Sequence, residues 1–138
     1  MILGRASWIA CGRYGRDDGV TVRLSLLIVD DNQEFLAAAA RLLEAEGLRV
    51  VGRSRTGQEA VEQTVALAPD VVLVDVELGE EDGVELASRL AGLPDAPAVI
   101  LISSHDQYGL QELLAPGLVV GFLTKDALSA DAIRALLG

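Results

Sequence analysis

Five side chains in this sequence stand at the ends of apolar runs. Asp75 closes Val71-Val72-Leu73-Val74, and Asp30 and Asp31 follow Leu26-Leu27-Ile28-Val29. Ser103 ends Val99-Ile100-Leu101-Ile102, and Lys125 follows the run from Leu118 to Leu123 and Thr124. Three carboxylates brought together repel one another unless a cation sits among them. Oxygen donors with no Cys or His beside them suit Mg²⁺, which keeps several waters and binds through a few carboxylates and a phosphoryl group. A hydroxyl and a compact ammonium complete a receptor for a phosphoryl group carried on a carboxylate. Each residue alone has a simpler reading: the acid pair as a helix cap, Ser103 as a turn residue, Lys125 as a solvated charge. Their joint arrival at one place favours chemistry.

Convergence requires a parallel sheet. Val71–Asp75 is a short, β-branched apolar run between Pro69-Asp70 and Gly79, the pattern of a strand buried on both faces. Similar runs at Leu24–Val29, Ala98–Ser103 and Leu118–Leu123, with a short Val50-Val51-Gly52 inside Leu48–Arg53, predict four more strands. Helical periodicity lies between them. Phe35, Leu36, Ala39, Leu42 and Leu43 mark a first helix, opened by an Asp31/Glu34 capping box and closed at Gly47. Thr56 with Glu59 opens a second, with Ala60, Val61, Val65 and Leu67 on one face. Gly83 to Leu90, Gln107 to Leu114, and a segment capped by Ser129 and running to Leu137 complete the set, while Glu77 to Asp82 reads as a polar loop. Connections this long join parallel strands, with helices on both faces. In such sheets ligands bind at the carboxyl ends of the strands, where the five side chains stand.

Composition narrows the function. The chain has 138 residues and a formal net charge of −10, enough for one domain and unfavourable for direct nucleic-acid binding. Aromatic residues are too scarce for a base-stacking platform. The lone Cys11 makes no internal disulfide, which fits a reducing cytoplasmic setting, and no apolar run is long enough to span a bilayer. Residues 1–21 carry Gly and Arg without periodicity and read as a disordered extension ahead of a domain at 22–138. The apolar piece Ala6–Cys11 is too short for a signal peptide, and Trp8 stands where a lipid-anchored Cys11 would want Leu. Val20 or Val22 is a candidate start.

Taken together, Leu-Ile-Val-Asp30-Asp31-Asn, Val-Asp75, Ser103 and Gly121-Phe122-Leu123-Thr124-Lys125-Asp126 resemble the receiver domains of bacterial two-component response regulators. The resemblance covers Leu24 to Leu137 and implies a flavodoxin-like (CheY-like) α/β fold, a five-stranded parallel sheet in the order 2-1-3-4-5. It implies that Asp75 accepts a phosphoryl group from a sensor histidine kinase or phosphotransfer protein. Asp31, Asp75 and the Glu77 backbone carbonyl would hold Mg²⁺, with Asp30 acting mostly through water. Ser103 and Lys125 would contact the phosphoryl group, and Phe122 would be a rotating aromatic coupled to Ser103, or a plain core residue. Glu77 and His105 would set the phosphoryl lifetime, though His105 reads equally as an ordinary loop residue. The kinase would dock beside the first helix near Phe35, Leu36 and Ala37–Ala40, and the strand-five face would bind a partner or a second copy. No nucleic acid or membrane would be contacted directly.

Three positions depart from the family's usual pattern. Gly79 stands where many relatives have Pro, which predicts a looser and more acidic loop. Ser104 and Asp126 replace a common Ala or Gly and a common Pro. Lys125-Asp126 resembles receivers that carry a helix-turn-helix output, so the chain reads as a stand-alone receiver or a piece of a longer regulator. Three other readings compete. A haloacid-dehalogenase-type phosphatase would use Glu77 as general acid-base but needs a substrate cap. A flavodoxin-like cofactor module needs a phosphate-binding turn where Asp30-Asp31-Asn32 stands. A receiver without phosphotransfer would not need the intact acid, hydroxyl and lysine set.

Overall fold

Where apolar runs alternate with amphipathic segments, the chain folds into a parallel sheet between two layers of helix. The computed structural model describes residues 23–104 and 119–138. The expected N-terminal extension, the short helix at 107–114 and His105 lie outside the described residues.

Strand β1 (Ser25–Val29) leads into helix α1 (Gln33–Ala45), and β2 (Arg49–Ser54) into α2 (Gly57–Leu67). Strand β3 (Val71–Asp75) is followed by two two-residue strands, β4 (Glu77–Leu78) and β5 (Glu81–Asp82), then α3 (Gly83–Ala91). Strands β6 (Ala98–Ser103) and β7 (Gly121–Thr124), a 3-10 turn (Lys125–Ala127) and α4 (Ala130–Leu137) follow. The main sheet has the order β2-β1-β3-β6-β7, every neighbouring pair parallel. With β4 and β5 set aside as a separate hairpin, this is the expected flavodoxin-like order 2-1-3-4-5.

Every residue of β1, β3 and β6 is buried, as strands covered on both faces must be. Strand alternation divides the core in two. Leu26, Ile28, Leu73, Ile100 and Ile102 face α1 and α4, whereas Leu27, Val29, Val74 and Leu101 face α2 and α3.

Local chemistry differs from expectation at four places. Helix α1 is capped by Asn32, not Asp31: Asn32 Oδ1 accepts from the N–H groups of Glu34 and Phe35. Helix α2 buries Gly57, Ala60 and Thr64, while Val65 and Leu67 face solvent. On α1, Leu36, Ala39 and Ala40 are buried and so cannot form a docking surface, whereas Leu42 is exposed. The segment from Glu77 to Asp82 is a hairpin, not a looser loop. Leu78 pairs with Glu81, and Gly79 takes φ +63° at the first turn position, which two-residue hairpins demand.

Candidate functional site

Asp75 is carried to the sheet edge by a strand paired on both sides. Val76 N–H donates to Ile102 O at 2.9 Å, and the chain then turns. The Glu77 N–H donates to Asp75 Oδ1 at 3.0 Å, which fixes the carboxylate plane. The turn brings α3 back against this backbone: a Cβ at Gly83 would collide with the Asp75 carbonyl oxygen and Val76 Cα. Only glycine admits that approach.

The acid pair divides its work. Asp30 is fully buried; its N–H donates to Ser54 O, and its Oδ1 accepts from the Asn32 N–H at 2.8 Å. Asp31 is exposed. Carboxylate oxygens of Asp30, Asp31 and Asp75 all lie within 4.8 Å of one another. Lys125, the only lysine of the chain, reaches over from the end of β7. Its Nζ lies 2.6 Å from Asp30 Oδ2 and 3.1 Å from Asp75 Oδ2. Both contacts are ion pairs, and the one to Asp75 Oδ2 also has the direction of a hydrogen bond.

These contacts set the protonation balance. Burial raises the Asp75 pKa above its ordinary value, and the Asp30 charge adds to this, while the Glu77 N–H and Lys125 pull it down; the net shift is upward. For Lys125, burial acts downward, but contact with Asp30 and Asp75 outweighs it and raises the pKa. Three carboxylates against one ammonium still leave two negative charges unbalanced. Clustered oxygen donors with that excess of negative charge fit a hard divalent cation, so the cluster could hold a metal.

Ser103, the last residue of β6, is buried at the same edge, in register with Thr124, while Ile102 is in register with Asp75. Phe122 pairs with Leu101, and alternation puts it on the Ser103 face, packed against the core on the α2–α3 side. The structure thus gathers Asp30, Asp31, Asp75 and Lys125 tightly and sets Ser103 and Phe122 along the adjoining edge. The Glu77 side chain is exposed and turned away from the core.

Three contacts were not foreseen. The Phe35 ring lies beneath Lys125, with Nζ 4.4 Å from its centroid. Arg55 Nη2 donates to Asp31 O at 3.4 Å. Glu81 Oε1, on the hairpin, accepts from the Gly57 N–H at 2.9 Å and so ties the loop after Asp75 to the start of α2. None of the three has a local mark in the sequence.

Residues 26–137 match the family described as response regulator receiver domain. The positive alginate biosynthesis regulatory protein of Pseudomonas aeruginosa is 36% identical over 115 residues, which cover 82% of this chain and 46% of that protein. The transcriptional regulatory protein PdtaR of Mycobacterium tuberculosis is 32% identical over 120 residues, 87% of this chain and 58% of that protein. The chain therefore spans about half the length of these curated relatives. Among solved structures, the signal receiver domain of a modulated diguanylate cyclase from Desulfovibrio desulfuricans superposes with a TM-score of 0.70 at 33% identity, covering 83% of this chain and 90% of that one.

Proposed function

We propose, for a chain that belongs to the response regulator receiver domains of two-component systems, that a phosphoryl group carried on Asp75 switches its contacts with other proteins. The observation that carries this reading is the single lysine held at 3.1 Å from Asp75 and 2.6 Å from Asp30, with the Asp31 carboxylate beside them. A buried acid at a sheet edge, flanked by one cation and two further acids, is a receptor for phosphorus.

The donor is a sensor histidine kinase or a phosphotransfer protein. A carboxylate oxygen of Asp75 attacks phosphorus in line, the O–P bond forms, the donor's P–N bond breaks, and the imidazole leaves with a proton. Asp31, Asp75 and the Glu77 backbone carbonyl would hold Mg²⁺, with Asp30 acting through water. Bound there, Mg²⁺ supplies positive charge against the negative charge that gathers between carboxylate and phosphoryl oxygens. Lys125 keeps its ammonium at the site and pairs with the phosphoryl group. Ser103 offers a hydroxyl to a phosphoryl oxygen, and Phe122 repacks with it. The Glu77 side chain and His105 modulate hydrolysis, in which water releases inorganic phosphate and restores the Asp75 carboxylate.

The output is a changed surface along β7 and α4, which binds a partner or a second copy of the chain. The chain turns over nothing beyond its own phosphoryl group, works in the cytoplasm, and makes no direct contact with nucleic acid or membrane. Residues 22–138 form the receiver, and residues 1–21 are an extension outside it. Incubated with Mg²⁺ and a small phosphodonor, wild type gains an acid-stable, base-labile phosphoryl group and Asp75→Asn does not. Equal labelling of both would move the acceptor elsewhere. Sustained release of phosphate from simple phosphoesters would point to a phosphatase instead.

A further inference from the structure

We propose that Phe35 is a positioning residue for Lys125, the aromatic wall of a cage whose other walls are the carboxylates of Asp30 and Asp75. The inference rests on the reading of Asp75 as phosphoacceptor and names a group outside the acid, hydroxyl and lysine set.

Lys125 carries a compact, strongly hydrated charge on a long flexible stem. Its Nζ lies over the Phe35 ring at 4.4 Å from the centroid, well inside the range of cation–π attraction. The two carboxylates meet the same ammonium at 2.6 and 3.1 Å. Together these contacts leave the lysine side chain only 19% exposed.

Carboxylates alone would be an unsteady anchor for a phosphoacceptor site. Phosphorylation turns the Asp75 carboxylate into an acyl phosphate, a mixed anhydride, and moves negative charge outward onto the phosphoryl oxygens. The ammonium must follow that charge without leaving the site. An aromatic face attracts the ammonium whether or not Asp75 is modified. An aliphatic side chain at position 35 would fill the space but offer no negative face.

The ring's own place is fixed from the same turn that sets the acids. The Phe35 N–H donates to Asn32 Oδ1 at 3.1 Å, and the Asn32 N–H donates to Asp30 Oδ1 at 2.8 Å. One short segment therefore positions the buried acid, the helix cap and the ring. The ring also packs against the core on the α1 face, so its place does not depend on Lys125. If Phe35 were a core residue and nothing more, Leu or Met would serve nearly as well there.

The test uses the full chain. Because Lys125 is the only lysine, its ε-protons give one unambiguous NMR signal in protein labelled at lysine. In wild type, without metal or phosphodonor, that signal is expected upfield of free lysine through the ring current, and Phe35→Leu is expected to lose the shift. At saturating Mg²⁺ and with a small phosphodonor, Phe35→Leu should phosphorylate Asp75 about three- to tenfold more slowly, the size of a partly desolvated cation–π contact, and Phe35→Tyr should restore the rate. Wild-type ε-protons at the position of free lysine would overturn the proposal, and this reading holds even if Phe35→Leu does not fold. Labelling of Phe35→Leu at the wild-type rate would overturn it as well. If wild type shows the shift but takes no phosphoryl group, the acceptor assignment has failed and the positioning role falls with it, while the ring–ammonium contact stands.

Discussion

At the scale of the residue, Asp75 is held at a cost to the fold. Burial first, then the neighbouring Asp30 charge, raise its pKa above the ordinary 3.8, and the Glu77 N–H and Lys125 only partly offset this. Between pH 3.8 and the raised value the native chain binds more protons than the unfolded one, so Asp75 makes stability fall as pH rises through that window. Asp75→Asn should therefore melt a few degrees higher than wild type at pH 7 in the presence of chelator, since each unit of elevation corresponds to about 1.4 kcal/mol. The two proteins should converge below pH 4. A lower melting temperature for the variant at pH 7 would mean that Lys125 more than compensates the buried charge. The metal prediction separates two neighbours of the same acid. Asp31→Ala should weaken Mg²⁺ binding about tenfold or more, because it deletes a charged ligand, whereas Ser103→Ala should change it less than about twofold. Similar affinities by titration would refute the ligand assignment.

At the scale of the element, the hairpin β4–β5 links Asp75 to the rest of the molecule. Gly83 closes it against the Asp75 backbone, and Glu81 caps the first turn of α2 through the Gly57 N–H. A methyl group at Gly83 must push that backbone aside, so Gly83→Ala should cost about 2–3 kcal/mol by denaturant melts and slow Asp75 phosphorylation. Glu81→Ala removes only a carboxylate at a helix N-terminus and should cost about 1 kcal/mol. A milder effect at Gly83 than at Glu81 would contradict the close approach. The hairpin was illegible in the sequence because two-residue strands have no period to detect. The apolar runs of β3 and β6 predict their observed limits, because unbroken runs admit no other register. The sequence puts the cap of α1 one residue early: an acid pair before a helix looks like a cap, and nothing local says that Asp30 is fully buried and that Asp31 joins the carboxylate cluster. Asp30, Asp31, Asp75, Ser103 and Lys125 were legible as site candidates because each follows an apolar run, whereas Phe35 fits the apolar face of a helix and gives no sign of a lysine across the sheet edge.

At the scale of the whole molecule, a chain with net charge −10 gathers three of its acids around its only lysine. That arrangement could hold a cation, and linkage would turn binding into stability. Mg²⁺ at a hundred times its dissociation constant should add about 2.7 kcal/mol to unfolding, reversed by chelator and largely absent in Asp31→Ala. Equal ionic strength from a monovalent salt should not reproduce the effect; if it does, simple screening explains the gain. Among the described residues no helix is long and apolar enough to cross a membrane. The central claim is that Asp75 carries the phosphoryl group, and trapping tests it most directly. Protein treated with a phosphodonor and Mg²⁺ is reduced with borohydride, which converts an acyl phosphate to the corresponding alcohol, and the modified residue is located by mass spectrometry. The account predicts homoserine at position 75 and at no other acid; homoserine at Asp30, Asp31 or Glu77 with position 75 unchanged would contradict it.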